Sequence, residues 1–134
     1  MNFILKQALI IIFILVSILA SSQDFNGNYT SNFTSYHNNA DSTLDYTERT
    51  MFNLFIADSV IIIQDVRIPD KLLAYFIPEK PVLFEGKSIY LNVINDHLNN
   101  GTTSTIIIYR KEDKINLLLD NKNESQMFFD LKVD

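Results

Sequence analysis

Arg49, Arg67 and Arg110 are the residues of this chain best suited to holding an anionic group. A guanidinium presents a planar fork of donors that meets a carboxylate or phosphate with two parallel hydrogen bonds. Each of the three falls in a run that reads as a strand. Arg49 shares parity with Met51 and Phe55, Arg67 with Ile61 and Ile63, and Arg110 with Ile106 and Ile108. On a cavity-lining face they would clamp an acid; on an outer face they would pair across strands with Glu48, Asp65 and Glu112. The two histidines offer less. His37 and His97 sit in polar stretches far apart, and Asn95-Asp96-His97 lacks the further ligands that a metal site needs. Asp24-Phe25-Asn26-Gly27 is no calcium loop, because its glycine comes too early and no Glu closes the frame.

Motifs of catalysis are missing. There is no Gly-x-Ser-x-Gly elbow, no His-Glu-x-x-His, no phosphate loop and no Gly-x-Gly-x-x-Gly. Asp96 beside His97 is a neighbour in sequence, which does not orient an imidazole as a triad requires. The expectation is a protein that is not an enzyme and uses no cofactor or metal.

The N-terminus supplies an address. Lys6 gives a positive start, residues 8–19 an apolar run, and Ala20-Ser21-Ser22 a small-residue stretch suited to cleavage before Gln23. The run is shorter than the roughly 20 apolar residues of a spanning helix. A signal peptide over 1–22 is therefore expected, preceding a single domain over 23–134 that is secreted or periplasmic. An uncleaved leader would be its one contact with a membrane.

Taking 22 residues from 134 leaves 112, enough for one core without covalent staples. The chain has no Cys, so packing alone must hold an exported fold that often relies on disulfides, and thiol chemistry is excluded. Sixteen carboxylates face eleven Lys and Arg for a net charge of −5, and −6 once Lys6 leaves. The scattered basic residues form no stripe able to displace counterions, so nucleic acid is not an expected partner. Asn28, Asn32, Asn100 and Asn123 each open an Asn-x-Ser/Thr triplet, an acceptor only in a eukaryotic secretory route.

These side chains must be positioned by strands. Ile, Val, Thr, Phe and Tyr dominate short runs separated by turn residues, and helical periodicity is weak. The runs are 25–36, 46–56, 60–68, 71–77, 82–84, 88–94, 103–110, 115–119 and 126–133. In the first, Phe25, Tyr29 and Phe33 share a parity; in the last, Met127, Phe129, Leu131 and Val133 do. Ile61-Ile62-Ile63 is apolar on both faces, which predicts a central, doubly covered strand. Residues 71–77 read as a strand, with helix as the alternative before Pro78. The fold class is all-β, an antiparallel meander of seven or eight strands forming a small barrel or a sandwich.

The entry segment Phe25-Asn26-Gly27-Asn28-Tyr29 resembles the start of lipocalin-like chains. The resemblance implies that Gly27 opens the first strand and that Tyr29, standing where the family usually has Trp, plugs the closed end of a barrel. It implies a binding protein that holds a small apolar or amphipathic ligand, with Tyr29, Arg49, Arg67 and Arg110 as candidate ligand residues. A protein-interaction module (inhibitor, adaptor or small envelope-assembly subunit) is the alternative, since long apolar strand surfaces need covering.

Overall fold

The computed structural model describes residues 6–8, 24–95 and 103–134. The expected signal peptide therefore lies outside the described residues except for 6–8, which are helical, and so do His97 and Asn100. The chain forms β1 (Gly27–Ser31), β2 (Phe33–Asn38), a single 3-10 turn at Ser42–Leu44, β3 (Tyr46–Glu48), β4 (Phe52–Ile56), β5 (Val60–Asp65) and β6 (Leu72–Phe76). There follow β7 (Val82–Phe84), β8 (Lys87–Asn95), β9 (Thr103–Lys111), β10 (Lys114–Asp120) and β11 (Glu124–Val133). Residues 71–77 thus supply a strand, which pairs with both β5 and β8.

Every ladder is antiparallel, and the sheet closes on itself. β1 pairs with β4 on one side and with β11 on the other, through Tyr29↔Val133 and Thr30↔Lys132. β1 continues past Asn32 into β2, which takes up the rest of β11, while β3 pairs with β2 as β4 pairs with β1. Two bent strands of this kind and six single ones give an eight-stranded closed barrel, with β7 as an added strand on β8. Of the two architectures open to the sequence, the meander takes the barrel. Closure pairs the edges that a sandwich would leave open.

Tight turns make the meander possible. Glu85 and Gly86 have φ of 49° and 76°, and Glu112 and Asp113 have 52° and 64°. Two successive left-handed residues mark the turn whose twist matches that of the strands it joins.

Bulges set which side chains reach the interior. The register shifts between Tyr90 and Val93 on β8, where Asn92 has φ 56°, and opposite Ile115/Leu117 on β11, where Asp130 has φ 50°. An extra residue bends the strand and reverses the alternation beyond it. The single parity expected for 126–133 consequently fails: Phe128 and Leu131 are in the core, whereas Val133 is 73% exposed. Phe33 fails likewise, since the bend at Asn32 puts Ser31 and Thr34 inside and Phe33 outside, where its ring meets Phe129 at 5.4 Å. The backbone freed by the β11 bulge is repaired by neighbours: Ser31 Oγ donates to the Phe129 carbonyl (2.7 Å), and the Asp130 N–H donates to Asn116 Oδ1 (3.0 Å).

Apolar side chains fill the middle of the interior. Leu54, Ile61, Ile106, Ile108, Leu117 and Phe128 are at most 1% exposed. The β5 prediction needs correcting, because Ile61 and Ile63 are core but Ile62 points outward and is half-buried between Phe55 and Ala74. A single-layer barrel has nothing outside to cover it. Tyr29 is buried at the closed end, its hydroxyl donating to the Phe25 carbonyl at 2.8 Å. Gly27 has φ +149°, where a side chain would be strained, and a Cβ placed there would lie 3.6 Å from the Tyr29 ring.

Candidate functional site

Towards the other end the inward rows change character. Ile106 is followed by Ser104, Val93 by Asn95, Phe128 by Gln126, and Ile61 and Ile63 face Tyr75 and Leu73. Ser104, Asn95, Gln126, Tyr75 and Leu73, with Tyr36, Leu119 and Glu124, line a cavity of about 480 Å³. A smaller lobe of about 190 Å³ adjoins it across the shared Lys71, Leu73 and Gln126, and is walled by Tyr46, Glu48, Phe52, Ile63 and Asp65. The larger volume falls in the range of small-molecule sites, which combine apolar walls with a few convergent polar groups.

The polar lining is organised around Glu124. Its Oε2 accepts from Tyr36 Oη at 2.5 Å and its Oε1 from Asn121 Nδ2 at 3.2 Å. The bond to Glu124 raises the Tyr36 pKa. Tyr75 is pushed up to about 12, chiefly by burial against a hydrogen bond to Asn95, with the Glu124 charge adding to it. Partial burial and then Glu48 raise Tyr46, whose ring stacks on Tyr36 at 5.1 Å and 17°. Gln126 Nε2 donates to Thr34 Oγ1 at 3.3 Å, and Thr34 passes the chain on to the Met127 carbonyl at 2.9 Å.

Of the three arginines, the structure brings only Arg67 to this mouth. It lies in the turn after β5 and not in a strand, and its donors are occupied by Asp65 (2.8 Å) and Glu48 (3.4 Å). The Arg67 guanidinium holds the Asp65 carboxyl below the usual range and is itself raised by the same bond. Arg67 therefore clips β3 to β5 where the two are no longer hydrogen-bonded. Arg49 lies exposed between β3 and β4, again outside any strand. Arg110 does sit in β9 on the inward parity, but at the closed end, exposed and near the Tyr29 phenol. Tyr29 is at that end too, within the core. The four sequence candidates thus do not converge.

Glu124, Gln126, Tyr36 and Tyr75 went unnoticed in the sequence. Their signal was a polar or phenolic residue at inward parity on an otherwise apolar row, which becomes legible only once the bulges have fixed parity. His37 ends β2 instead of lying in a loop, and its Nδ1 lies 2.7 Å from Asp45 Oδ2. Among the described residues no group of three His, Cys, Asp or Glu could hold a metal ion. A second cavity, of about 560 Å³, lies at the closed end, lined by Asp24, Phe25, Asp58, Ile77, Glu79 and Tyr90 among others. No protein-family model, curated protein or solved structure matches the chain.

Proposed function

We propose that this is an exported, non-enzymatic binding protein of lipocalin-like kind that holds a small amphipathic ligand in the mouth of its barrel. The observation that carries the reading is the cavity of about 480 Å³ at the end where Ile106, Val93 and Phe128 give way to Ser104, Asn95 and Gln126 on the inward rows. Leu73 and Leu119 give that cavity apolar walls, while Asn95, Ser104, Gln126 and Glu124 give it directional partners. Gly27 and Tyr29 at the start of the first strand agree with the resemblance in the sequence. Titration with the neutral dye N-phenylnaphthylamine tests it. The native protein enhances the dye's fluorescence saturably, and Leu119→Trp, which fills the cavity, removes the enhancement. Equal enhancement by both proteins would sink the reading.

A second reading, docking of another protein, has one observation in its favour. Among the described strands β7 pairs with β8 alone, and its Val82, Leu83 and Phe84 are 50, 52 and 58% exposed. An unpaired apolar edge is a template for strand addition. On this reading Leu83→Lys abolishes self-association or partner capture seen in sedimentation of a native extract. A native protein that sediments as a free monomer at every concentration rejects it.

A further inference from the structure

We propose that the ligand of the mouth carries a cationic group, an ammonium on an apolar body, and that Glu124 is its counter-ion. This rests on the reading of the mouth as a ligand site and names the class of ligand.

The Glu124 carboxylate is half-buried, yet the partners of its two oxygens, Tyr36 Oη and Asn121 Nδ2, are neutral donors. It takes part in none of the ion pairs among the described residues, which join His37 to Asp45 and Arg67 to Asp65 and Glu48. Its charge raises the phenols of Tyr36, Tyr46 and Tyr75, which places it near all three. A half-buried carboxylate held by neutral donors keeps lone pairs for a partner of opposite sign.

Part of the remaining hydrogen-bonding capacity has the same sense. Tyr36 spends its hydroxyl proton on Glu124, and Gln126 spends an amide proton on Thr34, which leaves the Gln126 carbonyl oxygen as an acceptor. Lys71 is exposed at the rim and is the one cation lining the larger cavity among the described residues. In the smaller lobe Arg67 is already held by two carboxylates. An acid entering the mouth would meet Glu124, Glu48 and Asp65. An amine meets acceptors, aromatic rings able to face a cation, and the apolar Leu73 and Leu119.

Calorimetric titration with three matched probes tests this: phenethylamine, the neutral phenethyl alcohol and the anionic phenylacetate. The amine is expected to bind at least about tenfold more tightly than the alcohol, equivalent to about 1.4 kcal/mol, and phenylacetate most weakly. Glu124→Gln should erase the preference for the amine, bringing the ratio of amine to alcohol affinity down to about one. Lys71→Met, a change at an exposed rim position, should tighten the amine a few-fold. Equal or tighter binding of the alcohol or of phenylacetate overturns the inference, as does a preference that survives Glu124→Gln. An unchanged amine affinity in Lys71→Met also counts against it, and remains informative if Glu124→Gln does not fold. Should no probe bind while N-phenylnaphthylamine does, the inference fails alone. Should the dye fail as well, the ligand-site reading falls with it.

Discussion

Tyr75 shows how a single side chain at the mouth couples the site to stability. It is 4% exposed and its pKa is raised from 10.0 to about 12, first by burial. A raised value means the folded protein keeps the phenol protonated where the unfolded chain would release it. The contribution is complete below pH 10 and is lost as pH climbs through about 12. A two-unit difference corresponds to roughly 3 kcal/mol. Tyr75→Phe is therefore expected to flatten the alkaline fall in stability, read by denaturant unfolding at successive pH values, with tyrosinate absorbance reporting one fewer late-titrating phenol. An unchanged alkaline limb in Tyr75→Phe would show that the phenol is not the group responsible. At the same scale, Arg67 follows the second of the two readings open to it in the sequence, since its guanidinium is held by Asp65 and Glu48 of the protein itself.

At the scale of elements, the runs of β-branched and aromatic residues located nearly every strand, because alternation and turn chemistry are local properties. Within 46–56, Phe52, Leu54 and Ile56 alternate inward along β4, whereas Tyr46 on β3 is exposed. What local patterning could not supply was the phase. Asn32, Asn92 and Asp130 each displace the alternation. Asn and Asp tolerate irregular backbone better than most residues, but the chain is so rich in both that residue type alone does not single these three out. Their placement depends on partners distant in the chain, such as Ser31 meeting Phe129 and Asn116 meeting Asp130. The mouth was hidden for the same reason. Gln126 reads as the polar start of a strand, and Glu124 falls outside the run altogether, until the bulge beyond them fixes the inward row.

Across the whole molecule, the middle and the mouth of the barrel should respond differently to truncation. Ile106 is fully buried in the filled middle, so Ile106→Ala is expected to cost about 2–5 kcal/mol by leaving an unfilled hole. Leu119 borders space that is already open, so Leu119→Ala should cost well under half as much. Chemical denaturation of the two variants measures the difference. Equal losses would mean that the mouth is as tightly packed as the middle.

The pairing of β1 with β11, reinforced by the Asp134 N–H on the Asn28 carbonyl (3.1 Å) and by Thr30 Oγ1 on Asp134 Oδ1 (2.6 Å), joins the earliest strand to the latest. Synthesis must therefore reach β11 before the ring can shut, and every intermediate length carries an orphaned edge. Such a topology delays collapse into the finished form. A nascent chain of this design keeps its first strand waiting on its last for as long as it is being made.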